Sequence, residues 1–140
     1  MPETETSFKQ RLQTCRLCAQ DFANTKTAHE PRPVTWFQSS ARILIAGQAP
    51  GMRVHQSGVP FDDRSGDRLR DWLGLTCATF YDQAKAAIVP MAFCFPGYDG
   101  KGADLPPPPR CAKAWRSQAL EHLPNVATAI VIGRYAQHWH

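Results

Sequence analysis

Short apolar runs alternate with amphipathic stretches along most of the chain. Three of these runs are rich in aliphatic residues and are bounded by polar or glycine positions, a pattern typical of strands, and the first run is typical of a strand buried on both faces. They lie at residues 42–46, 86–93 and 127–133. Pro90 weakens the second prediction, because proline cannot donate a hydrogen bond to a neighbouring strand. We therefore expect three short strands, of which the second is the least regular.

Helical periodicity fills the segments between and after these strands. It predicts helices at residues 7–23, 65–74 and 110–123, and a further one from residue 134 onwards. Ser65 is the expected N-cap of the second helix, and Gly74 is its expected end. The face expected to be buried carries Leu69, Trp72 and Leu73. Because strands alternate with helices, the sequence predicts an α/β fold with a short parallel sheet between two helical layers.

The chain length of 140 residues fits one domain. Hydrophobic residues make up 43% and charged residues 20%, which is ordinary for a folded protein, so disorder is not the default interpretation. The net charge of +4 is compatible with a nucleic-acid partner but does not require one. No apolar run approaches the roughly 20 residues of a membrane span, and the polar N-terminus lacks a secretory signal. We therefore expect a cytoplasmic protein with no membrane partner.

Ligands of parallel α/β sheets bind beyond the carboxyl ends of the strands, where Gly47 follows the first predicted strand. Glycine lets a ligand approach the backbone closely, and Pro50 stiffens the turn before Gly51. Exposed amides of Gln48 and Ala49 are suited to bind an oxyanion or a carbonyl oxygen. An ordinary turn between a strand and a helix would have the same sequence, so this loop alone leaves both interpretations open.

A second motif follows at residues 58–69, where Gly-x-Pro-Phe precedes a glycine and a leucine-bearing helix. Together with the first loop, it resembles the signature of the uracil-DNA glycosylase superfamily, and most closely that of its iron–sulfur branch. The matching positions are Gly47, Ala49, Pro50, Gly51, Gly58, Pro60, Phe61, Gly66 and Leu69. The resemblance implies a single uracil-DNA-glycosylase-like domain over residues 1–140.

The resemblance also implies an activity. Such enzymes flip a deaminated base such as uracil out of DNA and hydrolyse its bond to the sugar. Phe61 matches the residue that stacks on the base, and the amides of Gln48 and Ala49 match those that stabilise the leaving base. The expected substrate-binding set is Gly47, Gln48, Ala49, Pro50, Gly51 and Phe61. Without the motif, Phe61 would be interpreted as a core residue.

Several positions depart from the family pattern. Gln48 replaces a loop glutamate, Ala49 stands where the most familiar members have a water-orienting aspartate, and Pro90 stands where an asparagine reads the uracil edge. His55 falls in place of an acidic pair. The expected catalytic candidates are therefore Gln48, His55, Asp62 and Asp63. The alternative interpretation of His55 is a solvated loop residue. The alternative for the two aspartates is that they cap backbone groups or pair with arginines.

The family also has a His-Pro-Ser loop after a further strand, and no such motif follows residue 133. We therefore expect a chain that is incomplete at its C-terminus, or a degenerate member with little activity. Two other functions stay open at this point: a catalytically degenerate nucleic-acid-binding protein with the same fold, and a metal-stabilised interaction module unrelated to DNA.

Cys15 and Cys18 form a CxxC motif, and Cys94 and Cys111 follow far downstream. Two such pairs suit an iron–sulfur cluster or a structural zinc, whereas a reducing compartment argues against disulfides. The resemblance implies a [4Fe–4S] cluster on these four residues, with zinc as the alternative. Four buried or free thiols would have the same spacing. Cys77 has no partner in this scheme.

Basic residues lie in or beside the predicted loops. We expect Arg53, Arg64 and Lys101 to contact DNA phosphates, although a solvated surface is the better explanation of any single one of them. The expected partner is DNA that contains a damaged or deaminated base, bound by a monomer.

Overall fold

The structure is a computed structural model that describes residues 3–140, so the first two residues of the expected domain lie outside it. Its elements, in chain order, are α1 (Glu5–Gln13), α2 (Ala19–Ala23), β1 (Ile43–Ala46), α3 (Met52–Ser57), α4 (Arg64–Leu73), α5 (Cys77–Phe80), β2 (Ala86–Ile88), α6 (Pro109–Cys111), a π-helical segment (Ala112–Arg116), α7 (Ser117–Glu121), β3 (Thr128–Val131) and α8 (Arg134–Trp139). None of the helices within residues 3–140 combines the length and the apolar composition that a membrane span requires.

The three strands form one parallel sheet in the order β2-β1-β3. Ile43 at the start of β1 pairs with Ala86 on one side and with Thr128 on the other, so the strands begin level with one another. Their carboxyl ends therefore meet at one edge, as the sequence predicts. The short parallel sheet confirms the expected α/β fold.

Successive side chains of β1 point to opposite faces of the sheet. Leu44 packs with Phe8 of α1 and Trp115 of the π-helical segment, whereas Ile45 packs with Leu69 of α4 and with α5. Aliphatic residues that are buried on both faces make β1 a strand even though it has no polar alternation. Helices thus cover β1 on both faces, which gives the three layers, whereas Thr128 and Ala129 of β3 are exposed.

β2 is shorter than the predicted strand at 86–93, because it ends at Ile88. The chain nevertheless stays beside β1: Val89 N donates to Ile45 O at 3.0 Å, and Met91 N donates to Gly47 O at 3.0 Å. Pro90 lies between these two donors, and its nitrogen faces the other side of the strand, where Ile88 N donates to Trp36 O at 2.8 Å. The missing N–H of the proline therefore removes no hydrogen bond to β1.

The predicted N-terminal helix at 7–23 is wrong in its middle, because α1 and α2 are separate. α1 ends at the C-cap Thr14, whose hydroxyl donates to the carbonyls of Gln10 and Arg11 at 3.3 and 3.1 Å. Such side-chain bonds compete with the helical backbone pattern. The break places Cys15 and Cys18 in a turn.

The segment predicted as a loop from 47 to 64 contains α3, which hydrophobic periodicity misses because Val54 is its only buried residue. The N-cap of α4 is Asp63 rather than Ser65: its carboxylate accepts a hydrogen bond from Gly66 N at 2.9 Å. Trp72 was expected on the buried face, but it is 74% exposed. Gly74 ends α4 in a left-handed conformation, as predicted.

The helix predicted at 110–123 is α6, the π-helical segment and α7 in direct succession. Its Arg116 is completely buried on the face opposite α4, where Nε and Nη2 donate to the carbonyls of Pro90 and Val89 at 3.2 and 3.1 Å. The Trp139 ring lies 5.3 Å from the guanidinium. Within residues 3–140, Arg116 forms no ion pair and its Nη1 has no hydrogen-bond acceptor. Burial lowers its pKa to about 10.

Candidate functional site

A cavity of about 550 Å³ lies at the carboxyl edge of the sheet, between the loops that follow the strands and helix α4. All six residues expected to bind substrate line it: Gly47, Gln48, Ala49, Pro50, Gly51 and Phe61. Ile130 and Ile132 at the end of β3 add to its apolar wall. Its volume is typical of a small-molecule binding site.

The loop at 47–51 is fixed from one side by the chain that follows β2. Met91 N donates to Gly47 O, and Ala92 N donates to Gln48 O at 3.1 Å. These bonds use the carbonyl groups of the loop and leave its amides free. No described residue accepts a hydrogen bond from the amides of Gln48 or Ala49. Two donors beside the cavity are thus available to a ligand.

Phe61 adopts a left-handed backbone conformation with φ of 57°, which is uncommon for a residue other than glycine. Two neighbours hold it there. Gly66 packs so closely that a Cβ atom on it would lie 1.8 Å from Phe61 O, and Arg70 Nη1 donates to the same oxygen at 3.3 Å. The ring end lies 3.5 Å from the position that a Cβ of Gly47 would occupy. Local strain thus places an aromatic ring against the loop.

The carboxylates of Asp62 and Asp63 are less available for catalysis than the sequence indicates. Asp63 lines the cavity, but its Oδ1 caps α4 and accepts hydrogen bonds from Gly66 N and from Ser65 Oγ, at 2.9 and 2.6 Å. Asp62 lies next to it without lining the cavity. The candidate role of both residues stays a prediction.

Asp104 is an acid that sequence reasoning missed, because the loop that carries it has no motif. Its Oδ2 lies 3.8 Å from the position that a Cβ of Gly51 would take, at the cavity loop. Burial, and then the charge of Asp63, raise the pKa of Asp104. Only its proximity to Asp63 in the folded protein identifies Asp104 as a residue near the cavity.

His55 is on α3 but does not line the cavity. Its ring packs 5.1 Å from the His29 ring and 5.7 Å from the Phe95 ring, and its buried Nδ1 has no hydrogen-bond partner among the described residues. Burial lowers its pKa, and the charges of His29 and Arg32 lower it further. The neutral imidazole is therefore the favoured form in the folded protein.

The three basic residues expected at DNA are exposed, and none of them lines the cavity: Arg53, Arg64 and Lys101. Arg68, one turn after Arg64, does line it, together with Trp72. The guanidinium of Arg68 lies 5.9 Å from the Trp72 ring. The sequence indicated a basic residue at Arg68 but placed Trp72 on the buried face of the helix, so it did not predict that the two lie together at the rim.

The four cysteines expected to bind metal line one small second cavity. Trp115 Nε1 donates to Cys15 Sγ at 3.2 Å, and Phe93 N donates to Cys111 Sγ at 3.3 Å. Burial raises the pKa of Cys94 to about 12 and that of Cys111 to about 11. The fifth cysteine, Cys77, is exposed on α5, away from this cavity.

No group of three or more histidine, cysteine, aspartate or glutamate side chains within residues 3–140 has the geometry of a site for a metal ion. The four thiols nevertheless line one cavity. A tetrahedral zinc site brings its sulfur atoms to within about 3.8 Å of one another, given zinc–sulfur bonds of about 2.3 Å. The donors are soft thiols, which suit either zinc or an iron–sulfur cluster.

The sequence was also compared with protein-family models. The model of the uracil DNA glycosylase superfamily matches residues 34–140, which is more than half of the chain. The chain therefore belongs to the uracil DNA glycosylase superfamily. Membership indicates a glycosylase-type hydrolase of DNA repair whose partner is DNA. The matched range contains the whole lining of the larger cavity but begins after Cys15 and Cys18.

Proposed function

We propose that this protein flips a deaminated base such as uracil out of DNA into the larger cavity and removes it by hydrolysis. The observation that carries the proposal is the position of Phe61, whose strained backbone holds its ring against the Gly47 loop. A flat ring beside free amides suits a planar base that leaves as an anion.

In this mechanism the base stacks on Phe61, and the amides of Gln48 and Ala49 donate to a carbonyl oxygen of the base. Negative charge grows on that oxygen as the bond to the sugar breaks. Preorganised donors in a water-excluding cavity stabilise such charge much more than water does. The apolar wall formed by Leu69, Ile130 and Ile132 supports this effect.

The attacking water is oriented by Gln48 in our proposal, because its side-chain oxygen can accept a hydrogen bond from the water. A glutamine cannot take up the proton that the water loses, so this proton passes to solvent or to the departed base anion, and the stabilised leaving base supplies most of the acceleration. Asp63, with its carboxylate engaged at α4, has the smaller role of a negative charge near the sugar. Asp62 and His55 do not line the cavity, so we assign them no role in this mechanism.

The test is release of uracil from a DNA oligonucleotide, detected as strand cleavage at the abasic site after alkali treatment. Replacing Phe61 by leucine removes the stacking surface, so we expect the rate to fall roughly 5- to 100-fold. Tyr135→Leu is the matched control, because that aromatic ring lines a different cavity. Equal rates for Phe61→Leu and the wild-type protein would contradict the assignment.

A catalytically degenerate nucleic-acid-binding protein is the second candidate. It is favoured by the engagement of Asp63, the one carboxylate among the described residues that line the cavity. Salt-dependent binding of DNA without any abasic-site formation from uracil, in the wild-type protein, would select this candidate over the enzyme.

We further propose that Cys15, Cys18, Cys94 and Cys111 hold a [4Fe–4S] cluster that ties the CxxC turn to the long loop before α6. Support comes from the cavity that the four cysteines share. Thiolates are the ligands that such clusters take. The cluster would be structural, and none of the steps above uses it.

Iron content and visible absorbance of anaerobically purified protein test this proposal. We expect iron in the wild-type protein and its loss in Cys15→Ser. Cys77→Ser is the matched control and should keep its iron, because Cys77 lies away from the cavity. Zinc in place of iron would select the alternative metal, and a metal-free protein would refute both.

We also propose that Arg53, Arg64 and Lys101 contact DNA phosphates and that the protein acts as a cytoplasmic monomer. All three side chains are exposed. Each phosphate contact that is removed should reduce the slope of log affinity against log salt by about 0.9 for duplex DNA.

A further inference from the structure

Trp72 is the most exposed of the large apolar side chains in residues 3–140, at 74% exposed. An indole in this position contributes little to the core, because its surface stays in water. Its backbone is well fixed, since it lies in the last turn of α4, and its ring lines the larger cavity. Stability of the fold therefore does not account for a tryptophan at this position.

The larger cavity extends along the whole of α4. Asp63 and Ser65 line it at the start of the helix, and Trp72 and Leu73 line it at the end. With a rise of 1.5 Å per residue, Asp63 and Trp72 lie about 13 Å apart along the helix axis. This length is several times the roughly 3.4 Å of helix axis that one nucleotide of a DNA strand occupies. A single base held at Phe61 therefore leaves the Trp72 end of the cavity empty.

Positive charge accompanies the exposed ring. Arg64, Arg68 and Trp72 follow one another at intervals of four residues, so they lie on the same side of α4. The neighbouring Asp67 is paired with the buried Arg70 at 2.7 Å, and Asp71 is the other acid on the exposed surface of α4. An aromatic ring beside arginine side chains is the combination that binds unpaired nucleic acid, through stacking on bases and contacts to phosphates.

We propose that Trp72 and Arg68 form a second nucleotide subsite for unpaired DNA. Trp72 stacks on the base next to the flipped one, and Arg68 contacts the phosphate between the two nucleotides. A base that is paired in a duplex cannot offer its face in this way, so the subsite favours single-stranded or locally opened DNA. The inference rests on the proposed function in one respect, namely that DNA is the substrate.

The test is binding of fluorescently labelled oligothymidine, which contains no uracil and so undergoes no reaction. We expect Trp72→Ala to weaken binding by about 5- to 100-fold, because one base loses its stacking partner. Trp72→Phe should recover most of the affinity. Arg68→Ala should weaken binding and reduce its salt dependence. Circular dichroism checks that the variants are folded, which the exposure of both side chains favours.

Intrinsic fluorescence gives a second measurement that a merely structural role would not change. Unlabelled oligothymidine should quench the tryptophan fluorescence of the wild-type protein and of Trp139→Phe to the same extent. It should quench the fluorescence of Trp72→Phe much less. Trp139 is a suitable control because it is also exposed but lines a different cavity.

Wild-type affinity of Trp72→Ala for oligothymidine would overturn the subsite and leave the glycosylase proposal intact. An equal loss on single-stranded and fully paired DNA would overturn the preference for unpaired DNA. Failure of the wild-type protein to bind any DNA at low salt would instead overturn the proposed function itself, and the subsite with it.

Discussion

Gly66 has no room for a side chain, because a Cβ atom on it would lie 1.8 Å from the carbonyl oxygen of Phe61. This close contact is with Phe61, which lines the cavity and has a left-handed φ of 57°. A non-glycine residue in this conformation costs roughly 1–2 kcal/mol. The packing of Gly66 and Arg70 against Phe61 offsets this cost.

We expect Gly66→Ala to destabilise the protein by at least about 1–3 kcal/mol, because the added methyl group can be accommodated only if the backbone of Phe61 moves. Urea unfolding measures the effect. Gly100→Ala is the matched control, since no atom lies within 4 Å of its Cβ position. A stability equal to that of the wild-type protein would show that Phe61 is not confined by Gly66.

His55 makes stability depend on pH. Its pKa is lowered in the folded state, chiefly by burial and then by His29 and Arg32, so the unfolded chain binds its proton more readily. The free energy of unfolding should therefore fall as the pH decreases below about 6.5, down to the pKa of the folded state. His55→Phe should remove part of this fall at pH values below about 6.5. The exposed His138 supplies the control, His138→Gln, which should keep the wild-type dependence.

At the scale of elements, α4 joins the two ends of the cavity and begins at an aspartate with two tasks. Asp63 caps the helix through Gly66 N and also lines the cavity. The negative charge of its carboxylate interacts favourably with the positive end of the helix dipole, and one of its oxygens accepts a hydrogen bond from an otherwise unpaired amide. The residue is thus needed by the fold whatever chemistry takes place beside it.

Asp63→Ala should cost about 1 kcal/mol of stability, which is typical for loss of an N-cap. Chemical denaturation measures this difference in the free energy of unfolding. The control is Asp71→Ala, on the exposed surface of the same helix. Asp63→Asn should keep most of the stability, because an asparagine oxygen also caps a helix. If Asp63→Asn were as unstable as Asp63→Ala, charge rather than the hydrogen bond would stabilise the end of α4.

Elements with strong local signals could be predicted from the sequence. The three strands, the end of α4 at Gly74 and the loop at 47–51 all have apolar runs or glycines as markers. The single helix expected at 7–23 was wrong, since periodicity does not register the hydroxyl bonds of Thr14 that end α1. The short α3 was missed for the opposite reason, because one buried residue makes no pattern.

At the scale of the whole molecule, topology explains why the site could be located before any side-chain contact was known. Parallel strands that begin level also end level, so the residues after each strand gather at one edge. The six expected substrate-binding residues do line one cavity there. Asp104 and Trp72 could not be predicted, because their proximity to this edge depends on the path of a loop and on which side of a helix meets solvent.

Arg116 connects the two sides of the molecule. Its guanidinium lies under Trp139 on the face opposite α4 and donates to the carbonyls of Val89 and Pro90. The next two amides of that segment, at residues 91 and 92, donate to the cavity loop at Gly47 and Gln48. A cation–π contact, two side-chain hydrogen bonds and the backbone of residues 89–92 thus lie in succession between the C-terminal helix and the cavity loop. The C-terminal helix is therefore part of the support of the cavity loop, although no residue of α8 lines the cavity.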